Sequence, residues 1–323
     1  MSTSADPAIE THGLTKVFKS TTAVDGLDLA VGRAEIFGLV GPDGAGKTTT
    51  IRLLSAIMDP TSGSASVLGY DTRTDPEPIK ARTGYMAQRF NLYGDLSVWE
   101  NLEFFARAYL VPDSVKRERM ERLLAFARLG QFRERRAAHL SGGMQKKLAL
   151  ACTLIHTPDL ILLDEPTTGV DPVSRREFWD ILSELHVQGI TLVVSTPYMD
   201  EAERCTRVGL MHRGRLIACD TPERIIATTV GDLLALRASD LRATREVVSA
   251  LDGVLETQTY GDQLRLFVND ADRVGPAIRS ALASSGLDLL SMERTRPRME
   301  EAFISVIGRQ REQESAADVE VRS

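Results

Sequence analysis

One segment near the amino terminus restricts the fold more than any other. The apolar run at 36–40 leads directly into Gly-Pro-Asp-Gly-Ala-Gly-Lys-Thr at 41–48, and helix-forming residues follow to about Met58. The segment matches G-x-x-x-x-G-K-[ST] between a strand and a helix, which is the context that a phosphate-binding loop requires. It therefore predicts an α/β core with a nucleotide phosphate site at the end of a strand.

The loop also predicts how a nucleotide is held. Backbone amides beside its glycines can surround the β-phosphate, and the Lys47 ammonium can reach the β- and γ-phosphates. The Thr48 hydroxyl is a suitable magnesium ligand. The residues expected to bind the nucleotide are Gly41, Pro42, Asp43, Gly44, Ala45, Gly46, Lys47, Thr48 and Thr49.

Two adjacent carboxylates follow a second apolar run. Asp164 and Glu165 come directly after the four apolar residues 160–163. Parallel α/β folds place their ligands at the carboxyl ends of strands, so Asp164 is expected to bind magnesium directly or through water. Glu165 could then orient and deprotonate an attacking water. An acidic pair after a strand also suits the start of a helix, but the upstream loop favours the catalytic interpretation.

The stretch Leu-Ser-Gly-Gly-Met-Gln at 140–145 offers a further anion site. Two adjacent glycines leave backbone amides open, Ser141 adds a hydroxyl, and good helix-forming residues follow. A helix that begins here would point the positive end of its dipole at an anion. Composition alone favours a flexible linker, and only the nucleotide motifs elsewhere in the chain reverse that preference.

Length and charge limit the class of protein. A chain of 323 residues suits two domains, and a net charge of −6 argues against a nucleic-acid partner. No apolar run approaches the roughly 18 residues of a membrane span, so any membrane role is expected to come through a partner. The cysteines Cys152, Cys205 and Cys219 have neither disulfide-framework nor zinc spacing, which favours reduced thiols in the cytoplasm.

The pattern divides the chain into three parts. Residues 1–225 are expected to form the nucleotide-binding domain, with a helical subdomain at about 89–157 inserted in the α/β core. Residues 226–308 are expected to form an accessory domain, and the polar, charged stretch 309–323 a disordered tail.

The accessory domain has its own order of elements. Its pattern predicts β-α-β-β-α-β and a final helix, with a hairpin turn at Gly261-Asp262. This is a ferredoxin-like α+β order.

Taken together, the motifs resemble those of the ATP-binding-cassette (ABC) ATPases. In the family's terms they are a Walker A loop (41–48), a Q-loop glutamine (Gln88), a signature (140–145), a Walker B strand with Asp164-Glu165, and a D-loop (169–172). The resemblance covers roughly residues 8–220. It implies that two cassettes bind two ATP molecules head to tail, with Ser141 and Gly143 facing the γ-phosphate held by the other chain's Lys47.

The resemblance assigns roles to individual residues. Gln88 is expected to sense magnesium and the attacking water and to link the core to the helical subdomain, although a surface glutamine is the alternative. Phe18 is expected to stack under adenine, with core packing as the alternative. The implied catalytic residues are Glu165, Lys47, Gln88, Asp171, Ser141 and Gly143, and the implied metal ligands are Thr48, Gln88 and Asp164.

One position departs from the family pattern. After the apolar run 191–194 the family normally has a histidine that contacts the γ-phosphate, but this chain has Pro197 there. Proline has no backbone N–H and no side-chain donor. Two interpretations follow: the enzyme is merely slow, or the chain is the degenerate half of an asymmetric pair of cassettes. The intact remaining positions favour the first.

The whole layout resembles the ATP-binding subunits of daunorubicin-resistance-like type-2 ABC exporters. The resemblance rests on the stretches 38–42, 61–63 and 298–304. It implies an ATPase that drives export of a drug-like or lipophilic compound through a separate membrane permease, and that works as a homodimer at the cytoplasmic side of the membrane. The permease is expected to contact the region 88–100 through Phe90, Leu92 and Tyr93, with core packing as the alternative for each of the three. The alternative is a soluble ATP-gated clamp without transport.

Overall fold

A computed structural model describes residues 6–89, 92–229 and 231–321, with side chains through Gln310. Phe90, one of the residues predicted to contact a permease, lies outside the described residues. The chain divides into two units, Met1–Pro222 and Glu223–Ser323, close to the domain boundary that the sequence predicts after residue 225.

The first unit is a mixed α/β structure. Its strands are β1 (Ile9–Phe18), β2 (Thr21–Val31), β3 (Ile36–Val40), β4 (Ser62–Val67), β5 (Tyr70–Asp71), β6 (Thr83–Met86), β7 (Leu160–Asp164), β8 (Thr191–Thr196), β9 (Arg207–His212) and β10 (Arg215–Asp220). Its helices are α1 (Lys47–Leu54), α2 (Pro76–Arg82), α3 (Val98–Ala108), α4 (Asp113–Phe126), α5 (Gly142–Thr153), α6 (Pro172–Val187) and α7 (Met199–Ala202).

A six-stranded sheet positions the nucleotide motifs. Its order is β10-β9-β3-β8-β7-β6, and every neighbouring pair is parallel except β10 with β9. Strands β3 and β7 are buried along their whole length, which explains their continuous apolar sequences. Val40 pairs with Thr196, and Asp164 pairs with Ser195. The ends of three neighbouring strands therefore meet at one edge of the sheet.

The second sheet and helix α1 complete the core of this unit. The antiparallel sheet has the order β2-β1-β4-β5, and α1 contacts strands of both sheets. One apolar cluster joins Leu27 of β2, Phe37 of β3, Ile51 of α1 and Leu162 of β7. Truncating a buried leucine or isoleucine of this kind to alanine typically costs about 2–5 kcal/mol. The glycine-rich loop is thus held between a buried strand and a buried helix.

Helices α3, α4 and α5 lie between β6 and β7, where the sequence predicts a helical subdomain. A capping box begins α3: the Ser97 hydroxyl accepts from the Glu100 amide, and the Glu100 carboxylate accepts from the Ser97 amide. One turn into the helix, the buried Asn101 amide donates to the carbonyls of Tyr93, Leu96 and Ser97. This side chain fixes the conformation of residues 93–97, which lead into α3.

The second unit has the ferredoxin-like architecture that the sequence predicts. Its elements are α8 (Pro222–Ala227), β11 (Asp232–Ala238), α9 (Leu241–Ser249), β12 (Val254–Tyr260), β13 (Gln263–Val268), α10 (Ala271–Ser284), β14 (Leu289–Thr295) and α11 (Met299–Val321). The sheet order is β12-β13-β11-β14, and all pairs are antiparallel. The hairpin between β12 and β13 turns at Gly261-Asp262, with Gly261 at φ 58°.

The structure differs from the sequence prediction in the tail. Disorder is predicted from Arg309, whereas α11 extends to Val321. The stretch is rich in Arg, Glu, Gln and Ala, which are strong helix formers, while its Glu, Gln and Ser are also typical of disordered segments. Helix α11 is attached to its own unit by an ion pair between Arg265 of β13 and the buried Glu301, at 2.5 Å.

Candidate nucleotide site

The glycine-rich loop has a shape that only glycine permits at two positions. Gly44 has φ +77°, and Gly46 has φ +105°. A Cβ on Gly46 would lie 2.3 Å from the carbonyl oxygen of Ala23. Helix α1 follows with no side-chain cap and no acidic residue in its first turn. Its amides and its dipole are therefore available to an anion.

Lys47 lies buried at the base of the loop, with 3% of its surface exposed. Its ammonium donates to the carbonyls of Gly41 at 2.8 Å and Pro42 at 3.0 Å, and it pairs with the Glu165 carboxylate at 3.3 Å. A buried charge needs such partners. An entering phosphate would compete with the loop carbonyls and with Glu165 for this ammonium.

Asp164 ends β7 and lies directly beneath α1. Its Oδ1 accepts from the Thr48 hydroxyl at 3.0 Å and from the Ser195 hydroxyl at 2.7 Å, while its buried Oδ2 has no hydrogen-bond partner among the described residues. Burial raises the pKa of this carboxyl, and the two hydroxyls oppose that shift.

The donors around Asp164 fit magnesium. Carboxylate and hydroxyl oxygens are hard ligands, and the unpartnered Oδ2 is available to a metal or its water. The described residues contain no group of three or more His, Cys, Asp or Glu side chains that could hold a metal. Magnesium commonly uses only one or two carboxylates together with phosphates and water, which matches this donor set.

Glu165 adopts a strained backbone conformation. Its φ is +47°, a region that costs a non-glycine residue about 1–2 kcal/mol. The strain is held by β8, since the Glu165 amide donates to the carbonyl oxygen and to the hydroxyl of Ser195, at 3.1 and 3.0 Å. The carboxylate accepts from Gln88 Nε2 at 2.8 Å and from the Thr168 hydroxyl at 3.3 Å. Strain of this kind is often found at active sites.

These groups surround one cavity of about 340 Å³. It is lined by Ala23, Asp43, Gly44, Gly46, Lys47, Thr48, Thr49, Gln88 and Glu165. The structure thus brings together the loop, the Q-loop glutamine and the carboxylate that the sequence singles out. Gln88 is exposed, as the surface alternative expects, and its Nε2 nevertheless donates to the Glu165 carboxylate at 2.8 Å. Phe18 is not among the described residues that line this cavity.

The signature and the D-loop lie elsewhere in the chain's own structure. No described residue of 140–145 or 169–172 lines the 340 Å³ cavity. The Ser141 side chain accepts from the Met144 amide and caps α5, while Asp171 accepts from the amides of Val173 and Ser174 and caps α6. The hydrogen bonds from Ser174 and Val173 hold the pKa of Asp171 below its usual range.

Gly143 differs from the sequence expectation. The two signature glycines are both predicted to present open amides, but only Gly142 is exposed, whereas Gly143 is buried. A Cβ on Gly143 would lie 2.4 Å from Cβ of Ser174. Glycine is therefore required here for close packing of α5 against α6, whatever else its amide does.

Phe18 and Pro197 are not among the described residues that line the 340 Å³ cavity. Phe18 ends β1 and is 44% exposed, with Lys16 Nζ 5.4 Å from its ring centroid, which argues against the core-packing alternative. Pro197 directly follows β8, whose last carbonyl, that of Thr196, accepts from the Gly41 amide at 3.3 Å. Pro197, at the position where the family has a histidine, thus follows a strand end that is hydrogen-bonded to the phosphate-binding loop.

Three side chains make contacts at the site that are not foreseen from sequence. Ser195 supports both Asp164 and the Glu165 amide, Thr168 donates to Glu165, and Lys146 donates to the backbone carbonyl of Gln88 at 3.0 Å. Ser195 has the clearest signal, because a polar residue at the end of an apolar strand beside β7 is expected to face the same edge.

The comparisons with known proteins agree with this geometry. The ABC transporter family profile matches residues 24–168. The daunorubicin/doxorubicin resistance ATP-binding protein DrrA of Streptomyces peucetius is 35% identical over 327 residues, which cover 99% of each chain. The chain belongs to the ATP-binding subunits of the ABC transporter family. This confirms the family that the sequence motifs predict.

Two other relatives match almost the whole of this ABC subunit. The Nod factor export ATP-binding protein I of Ralstonia nicotianae is 35% identical over 94% of this chain and 95% of its own. The probable multidrug ABC transporter ATP-binding protein YbhF of Escherichia coli strain K12 is 40% identical over 94% of this chain. The chain spans about half, 52%, of the length of YbhF.

Solved structures resemble the cassette in fold. An ATP-binding subunit of an ABC transporter matches 68% of this chain and 92% of its own, with a TM-score of 0.62 and 29% identity. The cassette MJ0796, solved as a dimer in a post-hydrolysis state with ADP and Pi, matches 66% of this chain and 98% of its own, with a TM-score of 0.60 and 26% identity. Within the described residues, no helix combines the length and the apolar character needed to cross a membrane.

Proposed function

We propose that the chain is the ATP-binding and ATP-hydrolysing subunit of an ABC exporter, which drives a drug-like or lipophilic compound through a separate permease. The observation that carries the activity is the convergence of Lys47, Thr48, Gln88 and Glu165 on one cavity beside an uncapped helix N-terminus. The buried Asp164 adjoins this group through its hydrogen bond from Thr48. The full-length similarity to DrrA, a protein named for daunorubicin and doxorubicin resistance, supports the exporter class.

Binding of ATP rearranges the contacts of Lys47. The triphosphate takes the N-terminus of α1, where amides, dipole and ammonium all favour an anion. Lys47 then exchanges the carbonyls of Gly41 and Pro42 for phosphate oxygens. The exposed ring of Phe18 offers a flat apolar surface for the adenine.

Magnesium would be held by Thr48 and Asp164, with Gln88 close to its water shell, and would neutralise charge on the β- and γ-phosphates. Ser195 orients Asp164 for this role through its 2.7 Å hydrogen bond. The Thr48 hydroxyl already donates to the same carboxylate oxygen, so both ligands lie side by side in the protein alone.

Glu165 is the proposed general base. It pairs with Lys47 in the protein alone, and transfer of Lys47 to a phosphate frees the carboxylate to accept a proton from water. Gln88 donates to one carboxylate oxygen and Thr168 approaches the same oxygen, so the second oxygen is directed toward Lys47 and the incoming phosphate. The strained backbone at Glu165 holds this orientation in advance.

The site is completed by a second copy of the chain. Residues 140–145 do not line their own chain's cavity, yet Ser141 and Gly142 are exposed at the start of α5, whose N-terminus favours an anion. In a homodimer, Ser141 and the amides of Gly142 and Gly143 face the γ-phosphate held by the partner's Lys47. Asp171, which caps α6 beside this segment, approaches the same interface.

The expected consequence of Pro197 is slow turnover, because the γ-phosphate lacks one donor. Changing Pro197 to His should raise kcat by up to about 100-fold, the scale of one lost oxyanion donor. The variant Pro197→Ala is the matched control, since it removes the ring without adding a side-chain donor. Steady-state ATPase assays decide the matter: a rate in Pro197→His no higher than in Pro197→Ala would show that this position does not limit turnover.

The proposed contact with the permease is an aromatic surface near α3. Tyr93 and Phe104 are 48% and 41% exposed, their ring centroids lie 4.5 Å apart, and Phe105 packs edge-on against Phe104. The Tyr93 amide donates to Asn101, so the surface is held in place and connected in sequence to Gln88. A permease bound here would place the chain at the cytoplasmic side of a membrane.

The experiment that tests the exporter assignment uses Phe104→Glu, with Val187→Glu, a residue 86% exposed on α6, as the matched control. Wild type and Val187→Glu should stay with washed membranes and co-purify in detergent with a polytopic membrane protein. Phe104→Glu should lose this association at least tenfold, since an inserted charge at an apolar contact is costly. A wild-type chain that is an active ATPase but never associates with membranes would favour the clamp alternative.

A further inference from the structure

The carboxylate of Glu201 is buried outside the catalytic cavity. It belongs to the short helix α7 and is 1% exposed. Its two oxygens accept from the hydroxyls of Thr167 and Thr196, both at 2.6 Å, and the Arg175 guanidinium of α6 lies 3.6 Å away. Both threonines are themselves buried. Burying a carboxylate is costly even when two hydroxyls donate to it. If this position served only for packing, apolar side chains would fill it at a lower cost.

The two threonines belong to the two segments that form the site. Thr167 lies two residues after Glu165 and begins the turn toward the D-loop, in which the Val170 amide donates to the Thr167 carbonyl. Thr196 ends β8 directly after Ser195, which holds both Asp164 and the Glu165 amide. Glu201 therefore joins the segment that follows Glu165 to the strand end that supports it.

The same network holds both neighbours of Pro197. The Thr196 hydroxyl accepts from the Tyr198 amide at 3.1 Å while it donates to Glu201. The Arg175 guanidinium lies 4.2 Å from the centroid of the Tyr198 ring, and its Nε lies 3.6 Å from the Glu201 carboxylate. Because Pro197 itself has no N–H, the conformation of this turn depends on the residues before and after it.

We propose that Glu201 is a positioning residue for ATP hydrolysis: its carboxylate locks the Glu165–Thr168 turn and the Pro197 turn into one unit. The inference rests on the proposed ATPase activity. It concerns alignment in the chemical step rather than nucleotide binding, because Glu201 and its partners do not line the cavity that holds the phosphates.

The test compares Glu201→Gln with Asp200→Asn in the full-length chain. Both changes remove one carboxylate that approaches Arg175, but only Glu201 accepts from the two threonines. An amide retains the shape and a single acceptor oxygen, so one threonine hydroxyl loses its acceptor. Glu201→Gln should lower kcat by about 10-fold to 100-fold, since a small misplacement of a catalytic group can cost about 100-fold in rate. The KM for ATP should stay within about twofold of the wild-type value. Asp200→Asn should leave both constants unchanged.

Further variants keep the inference testable if Glu201→Gln folds poorly. Thr167→Val and Thr196→Val each remove one donor, and each should lower kcat without changing KM. In the Glu201→Gln background, Thr167→Val should cost much less than it does in wild type. Equal kcat values in wild type and in all these variants, at equal thermal stability, would overturn the inference. Loss of kcat only in proportion to the folded fraction would also overturn it. A wild-type chain that hydrolyses no ATP at all would instead count against the proposed function.

Discussion

Replacing Glu165 with Gln should lower the rate of ATP hydrolysis by at least 100-fold while ATP binding is retained, since a positioned general base contributes about 10²–10⁴ in rate. The carboxylate contacts Lys47, Gln88 and Thr168, and an amide of the same shape keeps much of this packing but cannot take a proton from water. ATP should therefore remain bound, and the dimer should accumulate in its closed form.

Two measurements check this result. Single-turnover hydrolysis gives the rate of the chemical step, and size-exclusion chromatography with ATP and magnesium shows whether dimers accumulate. Glu184→Gln is a suitable control, because Glu184 is an exposed glutamate on α6, away from the cavity. If Glu165→Gln hydrolyses ATP at the wild-type rate, Glu165 is not the base.

The part of the site that sequence predicts well is the part in which local pattern and chemistry coincide. The strand, loop and helix around Lys47 are contiguous, so a single motif specifies both conformation and ligand. Asp164 is found because it ends an apolar strand, and parallel strands present their carboxyl ends together. The same reasoning gives the ferredoxin-like order of the second unit from alternating short patterns.

The contacts that sequence does not reveal depend on register between distant segments. Strand pairing brings Asp164 beside Ser195. Glu201 accepts a hydrogen bond from Thr167, 34 positions away in the chain, and another from Thr196, 5 positions away. No periodicity specifies which hydroxyl reaches which carboxylate. Gly143 illustrates the same limit, since its need for close packing against Ser174 arises only when α5 and α6 are placed together.

Replacing Ser141 with Asp should abolish ATP-dependent dimer closure and lower hydrolysis at least 100-fold. Aspartate caps a helix as well as serine does, so α5 should remain intact. Its negative charge, however, would face the γ-phosphate held by the partner's Lys47, and removing or opposing one such donor group costs about 10²–10³ in rate. ATP binding to the single chain should be unchanged, because Ser141 does not line its own chain's cavity.

Fluorescent-nucleotide titration and the ATPase assay check this prediction, with Ser141→Asn as the control that retains a capping side chain without charge. A Ser141→Asp chain that binds ATP, closes into dimers and turns over normally would place the signature outside the ATP site. A chain that no longer binds ATP would show instead that the signature acts within its own subunit.

The measurement that tests the shared site most directly mixes two inactive variants. Lys47→Met damages the phosphate loop of one chain, and Ser141→Asp damages the signature of the other. In a mixed dimer one site has both intact halves, so a 1:1 mixture should recover up to about a quarter of wild-type ATPase activity, because half of the dimers are mixed and each has one good site. A mixture no more active than the two variants assayed separately would contradict a site built from two chains.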